Sequence, residues 1–390
     1  MHESVRQFTA NGAACVPLSL RQDGGRFSDT VKIAYLSGAP VPSRGANSVH
    51  VMRMCQAMAE QGHSVTLYVH NGDLTARSDH EFYGVAPSFS ILKHPRPKVR
   101  VIGAMSHACL VGARFRMRRS PDLVYAREYY CLSAVAKTGV PFIFESHWRP
   151  RNRGQRLLEG WLFAQPGFRR LVVISQALRA GYLEVFRSLR PESVVVAHDA
   201  ADPVLALPNS DAGGHLRLQV GYVGSFFPGY GVQVLSDLAR LRPDMDFHVI
   251  GGSASDVRQA KACAGALANL TFHGFVPPAE LAPKYRTLDV LLAPYQPDTP
   301  HIDWISPMKL FEYMAHGKAI VCSDFPVMRE ILKQGEDGLL VSATDVGSWV
   351  KALDALRDPK RRATLGSAAQ AKLEAQFTWR RRAEAVLQGI

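Results

Sequence analysis

Long apolar runs are missing from this 390-residue sequence. The longest, such as Leu171 to Ile174 and Val290 to Ala293, are strand-sized, far short of the roughly 18 residues a membrane-spanning helix needs. Residues 1–30 are polar and aperiodic, with no continuous apolar core, and read as a loose extension rather than a secretory leader. The six cysteines (Cys15, Cys55, Cys109, Cys131, Cys263 and Cys322) form no C-x-x-C pair. Neither a disulfide framework nor a structural zinc site is expected, and a reducing cytoplasm is the natural setting. H-E-x-x-H, an EF-hand loop, G-x-S-x-G and the P-loop pattern are all absent, which leaves metal hydrolysis and serine-nucleophile chemistry without a basis. There is no internal repeat and no low-complexity tract.

What remains is an ordinary globular composition, 47% hydrophobic and 21% charged. At about 150 residues per domain, the length suggests two or three domains. The net charge of +12 is uneven. Lys93 to Arg190 carries nineteen Lys and Arg against five Asp and Glu, and the rest of the chain is close to neutral. Such a stretch attracts phosphates or an anionic membrane surface, or is simply a solvated, arginine-rich face.

The pattern is alternating α/β. Val31 to Leu36 reads as a buried strand, Asn47 to Gln61 as a helix stopped at Gly62, and Ser64 to Val69 as a second, parallel strand. Further strands fit Asp122 to Ala126, Phe142 to Phe144, Leu171 to Ser175 and Ser193 to Ala197. A Pro/Gly/Asp-rich linker over 201–216 follows, and the alternation restarts. Strands then fit Leu218 to Val223, Phe247 to Ile250, Leu270 to Gly274, Val290 to Pro294, Ala319 to Ser323 and Gly338 to Val341. The expected fold is two doubly wound, Rossmann-like domains, 31–200 and 217–376, facing a cleft. Ligands in such sheets bind beyond the carboxyl ends of the strands.

The segment Ile305 to Ser323 carries the most chemistry. Ser306 suits an N-cap, Pro307 the first helical position and Gly317 the stop. Helical spacing puts Lys309, Glu312, Tyr313 and His316 on an open face and Leu310, Phe311, Met314 and Ala315 on the buried one. A helix start aimed outward with a lysine in its first turn is a phosphate site, and a carboxylate one turn on can accept hydrogen bonds from sugar hydroxyls. The alternative is an amphipathic surface helix with a Lys309–Glu312 ion pair. Gly221 to Gly231 (GYVGSFFPGYG) is a strand running into glycines, fit either for a close backbone approach to phosphate or for a tight turn. The loop after the first strand, with Gly38 and Gly45, is similarly open to both readings. Asp244 and Asp246 have the D-x-D form but precede their strand, so they read as a turn rather than a metal site. Glu145 and His147 follow the strand at Phe142, at its ligand-binding end.

Taken together these residues resemble the retaining GT-B glycosyltransferases of family 4. The likeness is nearest to a bacterial branch with S-P-x-K-x-x-E-Y-M-A-x-G-K, here Ser306, Pro307, Lys309, Glu312, Tyr313, Met314, Ala315, Gly317 and Lys318. Phe247 to Gly252, Phe272 to Val276, Asp289 to Tyr295, Arg329 to Ile331 and Phe377-Thr378-Trp379 look like the same branch. The resemblance implies a nucleotide-sugar donor, with Glu312 on the ribose and Gly45, Gly224, Ser225, Gly231, Ser306, Pro307 and Lys309 around the diphosphate. His147 would lie beside the donor sugar, with Glu145 next to it, and residues 377–390 would form a helix crossing back to the first domain. It also implies no metal and no cofactor, because helix dipole and cationic side chains offset the leaving diphosphate's charge. The acceptor would be a saccharide or lipid-linked saccharide, met on the inner face of the cell membrane through Lys93 to Arg190. Two departures stand out: the family's first glutamate is replaced by Trp304, with Asp303 beside it, and its Arg and Lys after the strand at Leu218 by Ser225 and a glycine turn. Lys309 and Arg127 are then the available cations. A sugar-nucleotide epimerase of the same fold is the alternative. Nucleic acid is not expected as a partner, since no recognition module is present despite the pI of 9.5.

Overall fold

A computed structural model describes residues 30–95, 112, 121–204 and 216–390. The extension 1–29, the stretches 96–111 and 113–120 of the basic region, and 205–215 of the linker lie outside the described residues.

Two parallel sheets dominate. The first holds β1 (Lys32–Val41), β2 (Ser64–Asn71), β3 (Ser90–His94), β4 (Leu123–Ala126), β5 (Phe142–Ser146), β6 (Phe168–Val173) and β7 (Val194–Val196), in the order β3-β2-β1-β4-β5-β6-β7. The second holds β8 (Gln219–Val223), β9 (Asp246–Ile250), β10 (Leu270–Gly274), β11 (Val290–Ala293), β12 (Ala319–Ser323) and β13 (Leu339–Val341), in the order β10-β9-β8-β11-β12-β13. Helices cover both faces, which is why the central strands β4, β5, β8, β11 and β12 are buried residue after residue instead of alternating. In each sheet the order reverses beside the first strand, at β1/β4 and β8/β11, and those switch points are where such sheets bind ligands.

The strands follow the hydrophobic runs, with four differences. β1 continues past Leu36 to Val41, so Gly38, expected in a loop, lies in the strand, and β5 continues to Ser146, so Glu145 lies within it rather than after it. The edge strand β3 carries no strong apolar signal, since only its last residue, His94, is buried. β6 starts earlier than the apolar run, at Phe168, and stops at Val173, because Ser175 is taken as the N-cap of the next helix: its Oγ accepts from Leu178 N at 3.1 Å.

Seven helices matter for the site: α1 (Ala46–Glu60), α2 (Arg153–Phe163), α3 (Gln176–Val185), α4 (Val232–Leu241), α5 (Met308–Ala315), α6 (Pro359–Gln376) and α7 (Trp379–Leu387). α6 lies against α5 and β12, so closely that a Cβ at Gly366 would meet the Gly317 carbonyl oxygen at 2.0 Å. The chain breaks at Phe377, Thr378 caps α7 by accepting from Arg381 N at 3.2 Å, and α7 packs on α1. Trp379, Ala383, Val386 and Leu387 thereby join the first lobe's core, beside Met54 and Met58.

The loops beyond the second sheet pack backbone against backbone. Gly231, at φ +76°, starts α4, and a Cβ there would stand 1.7 Å from the Pro294 carbonyl oxygen. Gly251, at φ +123°, leaves no Cβ room beside the Gly224 carbonyl. Gly231→Ala should therefore cost about 2–5 kcal/mol from left-handed strain plus overpacking. Gly62→Ala, at φ +92° with open space around it, should cost only the backbone part, about 1–2 kcal/mol. Chemical denaturation of the two variants checks this; equal losses would remove the packing argument.

Candidate active site

The second lobe's side of the site is built around Lys309. In the first turn of α5 its ammonium is buried, donates to Tyr222 Oη at 2.9 Å, and lies 4.1, 5.1 and 4.8 Å from the ring centres of Tyr222, Tyr230 and Tyr295. Three π faces favour the cation that burial disfavours. Burial nevertheless pushes its pKa down to about 7, against the opposing pull of Cys322 and Glu312. Gly224 is what admits this lysine, since a Cβ there would sit 2.9 Å from Nζ. Ser225 closes the same turn, its carbonyl accepting from Tyr222 Oη at 2.5 Å.

The helix differs from its sequence reading in four respects. Pro307, not Ser306, holds the N-cap position, because the Ser306 hydroxyl is engaged elsewhere: its Oγ accepts the Asp199 N–H at 2.9 Å. Tyr313 is not on an open face; its hydroxyl accepts from Val223 N at 3.0 Å and lies 3.1 Å from the Val223 carbonyl, pinning α5 to the end of β8. No Lys309–Glu312 ion pair forms. Glu312 instead accepts from Tyr285 Oη at 2.9 Å, and burial pushes its carboxyl up while Tyr285, Arg53 and Lys309 pull it down. Finally, the tip is not open: Ser306, Pro307 and Lys309 are buried, because the first lobe covers the tip through Asp199 and Met308 packs on that lobe's core.

The first lobe contributes a charged cluster around Glu145, the penultimate residue of β5. Its carboxylate, wholly buried, accepts from Arg382 of α7 at 3.0 and 3.2 Å and from the Tyr125 hydroxyl. His147 Nε2 stands 2.6 Å from it and His50 Nε2 3.1 Å. Burial alone would push this carboxyl up, but Arg382 and the two histidines hold it well below the usual range. His147 is pushed down to about 4 by burial and by Arg127, so it is neutral at pH 7. With its Nε2 proton committed to Glu145, its Nδ1 lies 3.2 Å from an Arg127 nitrogen. The other terminal nitrogen of Arg127 is buried without a hydrogen-bond partner among the described residues.

One thread joins the two sides. His50 Nδ1 is 2.8 Å from Asp199 Oδ1, and the Asp199 amide donates to Ser306, so the chain of contacts runs Glu145, His50, Asp199, Ser306 into the start of α5. Gly45 stands at the N-cap of α1, and its neighbour Arg44 lies over Phe275 of the second lobe at 5.1 Å. Trp304, where the resemblance expects a glutamate, crosses between lobes: its carbonyl accepts from Ser175 at 2.9 Å and its ring lies under the Arg149 guanidinium at 4.9 Å. Asp303 is exposed. Asp244 is tied to Arg242 and Arg357, and Asp246 to Arg217, so neither holds a free carboxylate for a metal. His50, His147 and Asp199 are the trio among the described residues with metal-ligand spacing, within 4.8 Å of one another, but both histidines are already turned to Glu145, a carboxylate that the fixed cations Arg127 and Arg382 border.

Of the residues singled out from sequence, Lys309, Gly224 and Ser225 come together, as do Glu145 and His147, with Ser306 between the groups. Gly231 follows Tyr230 of the cage, and Glu312 lies one turn beyond Lys309 beside Tyr285. Sequence reasoning assigned no role to Tyr222, Tyr230 and Tyr295, nor to His50, Asp199 and Arg382. His50 carried a signal, a lone polar residue among the apolar positions Val49, Val51 and Met52. Arg382 carried none, sitting in the run Arg380-Arg381-Arg382, of which only the last is buried.

Removing Arg382 should be costly, since it leaves a buried carboxylate without its guanidinium. Arg382→Met is expected to lose about 3–5 kcal/mol at pH 7, and Arg382→Lys less. The gap should narrow toward pH 5, where the variant can protonate Glu145 and wild type cannot. Denaturation at pH 8, 7 and 5 measures it, and a pH-independent gap would mean that lost packing dominates.

Two family models match the chain: Glycosyltransferase Family 4 over residues 48–205 and Glycosyl transferases group 1 over residues 217–358. TuaH of Bacillus subtilis (strain 168), named for teichuronic acid biosynthesis, is 25% identical over 120 residues, 31% of this chain and 30% of that protein. The phosphatidyl-myo-inositol mannosyltransferase of Mycolicibacterium smegmatis is 35% identical over 114 residues, 28% of this chain and 27% of that one. The aligned segments thus span under a third of these curated relatives. Among solved structures, Anabaena HepE in complex with UDP and glucose superposes with a TM-score of 0.69 at 16% identity, covering 92% of this chain and 100% of that one. No helix among the described residues is long and apolar enough to cross a membrane. With about three quarters of its length inside the two models, and with both lobes built as in solved glycosyltransferases, the chain belongs to the GT-B glycosyltransferases.

Proposed function

We propose that this chain moves a sugar from a nucleotide-sugar to an acceptor hydroxyl with retention of anomeric configuration, without a metal ion, in the assembly of a bacterial cell-surface glycan or glycolipid. The observation that carries the reading is the meeting, at the β8/β11 switch point, of Gly224, the buried Lys309 ammonium and the start of α5, joined through Ser306 and Asp199 to Glu145 and His147. The diphosphate lies against Gly224, Ser225, Gly231 and the start of α5, with Gly45 approaching from the first lobe. There Lys309 exchanges its Tyr222 contact for a phosphate oxygen. Glu312 accepts from the ribose hydroxyls. Arg127, with one buried nitrogen unpartnered among the described residues, is a second cation for the leaving diphosphate. His147, neutral and fixed by Glu145, stands beside the sugar as a hydrogen-bonding group rather than a charge.

The acceptor is a saccharide or lipid-linked saccharide at the cytoplasmic membrane face, toward which the arginine-rich stretch is drawn. The names of the curated relatives, one for teichuronic acid biosynthesis and one for mannosyl transfer to a phosphatidyl-inositol, support an envelope role.

Thermal-shift screening against UDP-, GDP-, ADP- and TDP-sugars should select one donor, stabilising with the logarithm of ligand excess. Glu312→Ala should abolish that shift, and an unaffected variant would remove Glu312 from the site. Turnover of the selected donor without acceptor would instead indicate an epimerase.

Donor affinity should also depend on pH. The free Lys309 ammonium is lost above about 7, and a bound diphosphate raises that value. Affinity should therefore fall as pH rises from 7 to 9, while the donor's own diphosphate charge stays constant. Titration calorimetry of wild type and Lys309→Met checks this: the variant should bind weakly and without the slope, and a slope retained in Lys309→Met would assign it to another group.

A further inference from the structure

Between α2 and α3 the first lobe has a cavity of about 560 Å³ lined by Arg149, Pro150, Arg156, Gly181, Glu184, Val185 and Phe186. Three features set it apart from ordinary basic surface. First, its two guanidinium groups, Arg149 and Arg156, have no carboxylate partner among the described residues, although Glu184 shares the lining. Trp148 to Arg190 holds nine arginines against two glutamates. Second, the fold makes room for one of these groups. A Cβ at Gly181 would lie 2.6 Å from Arg149 Nε and 2.9 Å from its Cζ, so only glycine lets that guanidinium rest against α3. Third, exposed apolar groups are close in sequence. Val185, 37% exposed, lines the cavity, and Trp148 and Leu157, at 37 and 76% exposure, are the chain neighbours of the lining residues Arg149 and Arg156, the Trp148 ring lying against Arg151 and His301.

The cavity also borders the proposed reaction site. Arg149 lies over Trp304 of the second lobe at 4.9 Å. Tyr182, next to Gly181, donates to Ser146 Oγ at 2.7 Å and lies 3.1 Å from the Trp148 carbonyl, fixing the segment that carries His147.

We propose that this cavity binds the phosphoryl group of an amphiphilic acceptor, an alkyl or isoprenyl phosphate whose chain lies over Trp148, Leu157 and Val185. Arginine suits this because its planar fork pairs two phosphate oxygens at once, and its weak hydration lets it work beside apolar side chains. Glu184, in the same lining, offers an acceptor to hydroxyl groups and holds the net charge of the lining at one positive. The inference rests on the glycosyltransferase reading for the word acceptor, but not for the binding itself.

Calorimetry on the full chain with hexyl phosphate, inorganic phosphate and hexanol tests it. Hexyl phosphate should bind most tightly. Arg149→Gln and Arg156→Gln, both at exposed positions, should each weaken it about tenfold, and Leu157→Gln should reduce it toward the inorganic phosphate value. Gly181→Ala should weaken it as Arg149→Gln does, with its melting midpoint recorded to separate unfolding from displacement of Arg149. Undiminished binding by the two arginine variants, or inorganic phosphate binding as well as hexyl phosphate, would overturn the proposal. Wild type that binds a sugar nucleotide but not hexyl phosphate would sink this site alone. Binding of hexyl phosphate by a chain that takes no sugar nucleotide would keep the site and sink the transferase reading.

Discussion

The buried Glu145 carboxylate is the constraint around which both lobes are arranged. A charge taken wholly out of water is tolerated only when its neighbours replace the lost hydration. Here those neighbours come from four parts of the chain: Tyr125 from β4, His50 from α1, His147 from the segment after β5, and Arg382 from the last helix. Since Arg382 belongs to a helix that follows the second lobe in sequence, the charge in the first lobe is balanced only once the chain has crossed back. The crossing is therefore tied electrostatically to the site, beyond the apolar packing of Trp379 and Val386. Arg382 also donates to the carbonyls of Ala197 and His198, which stiffens the chain just before Asp199.

The second lobe solves a related problem differently. Lys309 has no carboxylate within ion-pair reach among the described residues, and its charge is borne by three tyrosine rings and one hydroxyl. Rings can hold a cation without competing for it as strongly as a carboxylate would, so the ammonium stays exchangeable for a phosphate. A Glu312 partner would have held it permanently; by accepting from Tyr285, Glu312 keeps its remaining acceptor capacity for a ligand.

How far the sequence shows this depends on whether a feature is local. The strands and the α5 segment were legible because buried parallel strands are continuous apolar runs and a helix has a fixed period. The orientation of Tyr313 was not, because its hydroxyl is satisfied by carbonyls of β8 and β11, some 90 and 21 residues away in sequence. Periodicity reported only that the residue is polar at its tip. Ser306 failed as an N-cap for the same reason: a competing donor, the Asp199 amide, arrives from the other lobe. Sequence position put Glu145 and His147 near the carboxyl end of a strand, though Glu145 lies within β5 rather than after it; what charges or neutralises them, His50, Arg127 and Arg382, lies 95, 18 and 237 residues from Glu145.

The burial of the α5 tip changes what donor binding must do. If the tip were open, a diphosphate would only displace water. Because Asp199 and Met308 close it, a donor bound as proposed beside Gly224 would have to compete with the Ser306–Asp199 hydrogen bond or draw Lys309 out of its ring cage. The first exchange would be felt in the first lobe, since Asp199 also holds His50, and His50 touches Glu145. A donor held as proposed and displacing that hydrogen bond would therefore change the hydrogen bonding around His147 without any contact between His147 and the nucleotide. That coupling follows from shared partners rather than from distance, and it gives the two lobes a physical reason to respond to a donor as a unit.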